Sequence, residues 1–254
     1  AVKSCAQQDF RDRQPAQVLK KSPVHAQRLT GVYIHLPFCD VKCAYCDFFS
    51  IAERHVDTAF WEKYTARLID DLHAQVALLK ADTAKPVLAS VFFGGGTPSR
   101  APAFVMQQLI HAVKAALPQQ LAAPEITAEA NPESLNDALL ARWFAAGVNR
   151  ISVGMQSLDE TVLKYLGRLY NPAAYREVFA RLRHAGFTNF NADFITGVPG
   201  QSVGSTLRDV DFALGRERDV SAGIAAIHDS LAGNIPSATA LSCERYLYGS
   251  GSRN

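Results

Sequence analysis

Three cysteines, Cys39, Cys43 and Cys46, stand in a C-x3-C-x2-C spacing within the stretch GVYIHLPFCDVKCAYCDFFS (31–50). Thiolates are soft ligands that select zinc, copper or iron–sulfur clusters. Structural zinc closes a shell of four protein ligands, and iron–sulfur clusters ordinarily take four thiolates. The local count here is three, with Cys5 and Cys243 far off in sequence. The thiols alone leave two readings open. In one, His35 completes a zinc site. In the other, a [4Fe–4S] cube gripped at three corners leaves one iron for an exogenous chelator, much as catalytic zinc keeps an open position.

Other stretches carry residues suited to holding a ligand. Gly94-Gly95-Gly96-Thr97-Pro98 follows the apolar run VFF. Glycines let a backbone approach a ligand and present its N–H groups, and no Lys-Ser/Thr follows at P-loop spacing. Glu129, in EITAEANP, ends a short strand-like run, where a carboxylate can accept hydrogen bonds from a ligand ammonium. Gln156 closes SVGMQ, an apolar context in which an unpaired amide is costly. Asp193, among Ala192, Phe194 and Ile195, is either hydrogen-bonded or functional. Arg168, in LGRLYN, lies past a helix, and its neighbours alone leave an ordinary surface cation as an open alternative.

Alternating apolar runs and helical patterns must position these residues. Strands are expected at 31–36, 87–93, 125–130, 150–156, 189–196 and 221–227. Helices are expected at 58–80, 102–117, 135–146, 159–166, 172–185 and 202–214. The first helix shows Phe60, Trp61, Tyr64, Leu68, Leu72, Val76 and Leu79 at helical spacing behind Asp57 or Thr58 as N-cap. Such alternation means βαβ units and a parallel sheet. Right-handed crossovers wind six units into an incomplete barrel, whose strand-to-helix turns share one face, where barrel enzymes place their chemistry. Most of the residues above fall at those turns.

With 254 residues, 48% hydrophobic content and 20% charged content, the chain is expected to be an ordinary globular protein with one large core or two modest ones. A net charge of +2 gives no case for nucleic acid or an anionic membrane, and no apolar run reaches the length of a membrane span. An odd cysteine count with three clustered is a metal pattern that implies a reducing compartment. The expected domains are a disordered or targeting leader over 1–30, the barrel over 31–228 and a divergent or truncated tail over 229–254, whose Ser, Gly and Asn content favours disorder.

The C-x3-C-x2-C loop resembles the signature of the radical S-adenosylmethionine (SAM) superfamily. That resemblance implies a [4Fe–4S] cluster whose open iron is chelated by SAM, and one-electron reduction that yields a 5′-deoxyadenosyl radical. The phrases YIHLPFC, GGGTPS, EANP, GVNRISVGMQS, LGR and DFITGVPGQ run in order over roughly residues 31–202. As a set they are similar to the oxygen-independent coproporphyrinogen oxidase-like group. By that resemblance Tyr33, Gly95 and Glu129 contact the cluster-bound SAM. Tyr45, Gly96, Thr97, Gln156, Arg168 and Asp193 fall at positions the group uses for SAM or a second ligand.

The group holds a dehydrogenase branch with a further cysteine two places after the third thiol. Here that place is Phe48, which resembles the heme chaperone (HemW) branch. The resemblance implies heme or porphyrin as a ligand, a heme-acceptor protein and an electron donor, in the cytoplasm or an organelle such as the mitochondrion. Coproporphyrinogen oxidation and a non-catalytic zinc-binding fragment are the alternatives. The family's accessory C-terminal domain is expected to be absent, since LSCERYLYGSGSRN carries no heme-linked motif.

Overall fold

A computed structural model describes residues 28–53, 55–82, 85–168, 172–214 and 239–245. Strand β1 (Arg28–Leu36) leads into two short strands, β2 (Phe38–Cys39) and β3 (Ile51–Ala52), that pair with each other and bracket the thiol loop. Then come α1 (Thr58–Asp82), β4 (Pro86–Gly95), a 3-10 turn at Pro98–Arg100 and α2 (Ala103–Ala116). Strand β5 (Gln120–Ala130), a second 3-10 turn at Pro132–Ser134, α3 (Asp137–Ala146) and β6 (Arg150–Gln156) follow. The chain continues through α4 (Glu160–Tyr165), α5 (Pro172–His184), β7 (Phe190–Thr196), α6 (Val203–Ala213) and β8 (Thr239–Arg245).

The large sheet has six parallel strands in the order β1-β4-β5-β6-β7-β8. Neighbours in space are neighbours in sequence. With right-handed crossovers this order sends every helix to one side of the sheet, which is the open, incomplete barrel expected. The sixth strand departs from expectation. The segment 221–227 lies outside the described residues, and the strand beside β7 is 239–245, inside the supposed tail. Its backbone pairs with the whole of β7, from Phe190↔Thr239 to Thr196↔Arg245. The tail's overall composition hid the local run TALSCER, which has no Gly, Pro or Asn to break a ladder.

Strand residues alternate between two faces. One face is apolar: Val91 and Phe93, Ile126 and Ala128, Ile151 and Val153, Ala192 and Phe194 are all almost fully buried. They join Met106, Leu109, Leu140, Trp143 and Leu182 of the helices in one core. The other face is polar, with Thr127, Glu129, Ser152, Asn191 and Asp193 side by side. Parallel strands covered on both faces are apolar throughout; here the second face is kept for polar groups. Asp57, one of the two expected caps of α1, accepts the Phe60 amide at 2.7 Å, and Asn136 caps α3 by accepting the Leu139 amide at 2.9 Å.

Candidate metal and cofactor site

The thiol loop lies between two walls. On one side the Gly96 amide donates to the Leu36 carbonyl at 2.8 Å and the Thr97 amide to that of Phe38 at 2.9 Å. A Cβ on Gly96 would sit 2.5 Å from the Pro37 carbonyl carbon, so two backbones touch there. Arg100, in the turn beyond, holds Asp40 at 2.8 Å and donates to the Glu53 carbonyl. On the other side the Ala44 amide donates to the Leu166 carbonyl at 3.3 Å. Tyr45 packs on Val162, Leu166, Ile195 and Val198, and burial, as the main cause, pushes its phenol up.

Cys39, Cys43 and Cys46 are free and partly buried, and all three line one cavity of about 220 Å³. Burial is the main cause that raises the Cys39 thiol, while hydrogen bonds from Thr97 and Ser50 pull it down. The His35 ring is already engaged: Nδ1 bonds the Tyr33 hydroxyl at 3.0 Å and Nε2 the Phe49 carbonyl at 2.8 Å. It is therefore tied to other partners and not aimed as a fourth ligand. Among the described residues no three His, Cys, Asp or Glu side chains converge as a single-ion site. Three thiols lining one cavity supply three of the four ligands that an iron–sulfur cluster ordinarily takes. Thiolate softness and a hydroxyl donor at Cys39 fit an iron–sulfur group.

The strand ends supply the rest of the lining. Gly95, at φ +110°, turns its amide toward Glu129 Oε2 at 3.2 Å; a Cβ there would strike the His35 ring. Glu129 and Gln156 both reach the cavity. Gln156 has φ +62°, the one positive value on a non-glycine among the described residues. The β6–β7 register shifts between Gly154 and Gln156. Such a bulge re-aims a side chain, and the strained backbone costs about 1–3 kcal/mol. Asp193 lines the same cavity and accepts from Ser152 Oγ and Asn191 Nδ2, each at 2.8 Å.

Arg168 lines the cavity, which removes the surface-cation alternative. Its side chain is 8% exposed, not a surface cation. It donates to Asn131 Oδ1 at 2.9 Å and to the Gly154 carbonyl at 3.0 Å, and lies 3.7 Å from Glu133. Burial alone would lower its pKa; Tyr175, Tyr45 and Glu133 around it raise it instead. Gly167, at φ +72°, makes the turn that brings it inward. Tyr33 stands apart from the cavity lining, 57% exposed, with burial and the Glu129 charge raising its phenol. Sequence reasoning passed over Asn131 and Glu133, although EANP carried the signal: an amide at a strand end held rigid by a following proline. Of the histidines, His55, His73, His111 and His184 are exposed, and His25 and His228 lie outside the described residues.

Parallel strands in sequential order, with three thiols after the first and a glycine turn after the second, define an open α/β barrel whose thiols and polar strand-end residues line one cavity. Residues 33–213 match the model of the Radical SAM superfamily, and the chain belongs to that superfamily. Membership implies a [4Fe–4S] cluster and SAM. The chain is similar to "Heme chaperone HemW" of Escherichia coli strain K12, 38% identical over 184 residues, 72% of this chain and 47% of that protein. It is also similar to "Radical S-adenosyl methionine domain-containing protein 1, mitochondrial" of Bos taurus, 36% identical over 192 residues, 75% and 41% of the two chains. The chain thus spans about half the length of these curated relatives. Among solved structures it is similar to the coproporphyrinogen III oxidase HemN of Escherichia coli, a radical SAM enzyme. The TM-score is 0.63 at 24% identity, over 77% of this chain and 43% of that one. It also resembles Streptococcus suis SuiB bound to SAM, with a TM-score of 0.51 at 15% identity over 86% and 47%. These structural likenesses establish the fold. Among the described residues no helix is long and apolar enough to cross a membrane.

Proposed function

We propose that Cys39, Cys43 and Cys46 hold a [4Fe–4S] cluster, that SAM binds beside it, and that the protein handles heme in the manner of a heme chaperone. The observation that carries the reading is the convergence of the three thiols with Glu129, Gln156, Arg168 and Asp193 on one cavity. When bound, the cluster supplies one electron at low potential to the SAM sulfonium. The chain's own residues do the binding. Gly95 and Gly96 leave room for a ligand close to the backbone, Glu129 offers a carboxylate to an ammonium, and Arg168 offers a buried guanidinium to an anion. Phe48 stands where the dehydrogenase branch has a cysteine, and the curated relatives named above include a heme chaperone. Both favour heme over coproporphyrinogen. Heme, a protein that accepts it and an electron donor are the partners of this reading, in the cytoplasm or a mitochondrion.

The test is anaerobic reconstitution, then dithionite and SAM with and without hemin. The expected result is about four iron per chain, formation of 5′-deoxyadenosine and stoichiometric hemin uptake. Oxidative decarboxylation of coproporphyrinogen III without hemin uptake would move the assignment to the oxidase. Thiols saturated by one zinc, with no iron uptake, would end the cluster reading.

A further inference from the structure

Hydrogen bonds run in one direction from Arg168 to a cluster thiol. Arg168 Nη2 donates to Asn131 Oδ1 at 2.9 Å. A guanidinium has donors and no acceptor, so the amide oxygen must face it and the amide nitrogen must face the other way. That nitrogen donates to Thr97 Oγ1 at 3.2 Å. A hydroxyl that receives a hydrogen bond has its own proton free, and Thr97 Oγ1 lies 3.4 Å from Cys39 Sγ. Thr97 is 7% exposed, and its backbone amide is fixed to the Phe38 carbonyl, one residue before Cys39. A second hydroxyl is set the same way: Lys42 Nζ, also donor-only, gives a hydrogen bond to Ser50 Oγ at 2.9 Å, and Ser50 bonds the Cys39 side chain. Cys43 and Cys46 have no hydroxyl partner of this kind among the described residues.

Resting on the cluster reading above, we propose that Asn131, oriented by Arg168, is a positioning residue that aims the Thr97 hydroxyl at Cys39 and so raises the reduction potential of the cluster. A hydrogen bond to a ligand sulfur withdraws electron density from the metal, and such bonds are among the factors that set cluster potentials. The potential and the Arg168 ligand site are thereby joined. Anything that turns the Asn131 amide also turns the Thr97 proton away from the thiolate.

The experiment compares wild type with Thr97→Ser, Thr97→Val, Asn131→Asp and the Thr97→Val/Asn131→Asp double variant. Each is reconstituted anaerobically, assayed for iron and titrated potentiometrically by EPR. Thr97→Val is expected to move the midpoint to a more negative potential, and Thr97→Ser to leave it in place. Asn131→Asp replaces the donor with an acceptor, draws the Thr97 proton toward itself and lowers the midpoint. Its new charge also lowers it, so the decisive result is non-additivity: Asn131→Asp shifts the potential less when Thr97→Val has already removed the hydroxyl. Equal midpoints for wild type and Thr97→Val, or strictly additive shifts in the double variant, overturn the relay while leaving the cluster in place. Should Thr97→Val fail to hold iron, an Asn131→Asp midpoint equal to that of wild type overturns it. A wild type that takes up no iron removes the cluster reading, and this inference with it.

Discussion

Asp209 offers a test of how α6 holds the loop behind Gln156. It is 2% exposed, accepts the Leu158 amide at 2.6 Å and the Ser157 hydroxyl at 2.8 Å, and sits in no salt bridge among the described residues. Burial, opposed by these two bonds, pushes its carboxyl up to about 6 from 3.8. Between those values the folded chain keeps a proton that the unfolded chain has released. The folded state binds more protons there, so stability falls as pH rises from about 4 to about 6. The gap at about 1.36 kcal/mol per pH unit is about 3 kcal/mol. Asp159, whose carboxyl lies below 3.8, works in the opposite sense and in a lower window: its contribution is lost as pH falls below that value. Urea unfolding of wild type and Asp209→Asn at half-unit steps from pH 4 to pH 7.5 isolates the effect. Because pH 4 already lies just above the unfolded value, the wild type should lose about 2.5 kcal/mol relative to the variant across the range, nearly all of it below pH 6.5. A flat difference curve, or one of opposite slope, would refute the reasoning about Asp209.

Four further outcomes follow from the geometry. Arg168→Met strands Glu133 beside Tyr175 and should destabilise the fold by about 3–5 kcal/mol, with Arg168→Met/Glu133→Gln recovering part of it; a single-variant loss below about 1 kcal/mol in urea unfolding would show that the pair is well solvated. Gly96→Ala drives a methyl into the Pro37 carbonyl, where no side chain can yield, so it should cost about 1–3 kcal/mol or more and lower iron retention after desalting. Gly200→Ala, at φ +83° with nothing within 4 Å, should cost only the left-handed strain of about 1–2 kcal/mol and leave iron retention as in wild type. Ser157→Ala takes one partner from Asp209 while leaving the Leu158 amide, and the Asp209 carboxyl should titrate still higher when followed by the pH dependence of stability.

The elements that position the site were legible because each strand is bounded by its own signals. The expected 150–156 strand is matched residue for residue by β6, and the other helices and strands through residue 214 agree apart from their edges. One end differs more widely: β5 begins at Gln120, ahead of the expected 125. Its first residues are mostly exposed and pair with β4 across a register shift, so they carry no apolar pattern to read. The burial of Arg168 was illegible for another reason. LGRLYN holds nothing to say that Gly167 turns the chain so that the guanidinium points inward, because its neighbours Asn131, Glu133 and Tyr175 come from other elements. Burial of a charge is a tertiary fact, and the residues that make it tolerable are scattered in sequence by construction.

Thr97 shows most sharply where sequence stops. Its place beside the glycine turn is readable, and so is its hydroxyl. Which way that hydroxyl points depends on the Asn131 amide, and the amide depends on a guanidinium that can only donate. Polarity is passed along a chain of groups that do not alternate freely between donor and acceptor, so a single donor-only residue at one end fixes every proton down the line. Replacing Arg168 with a residue able to accept would therefore do more than remove a charge from the cavity. It would free the amide to invert and would leave the Thr97 proton without a fixed target, although neither Thr97 nor Cys39 had been touched.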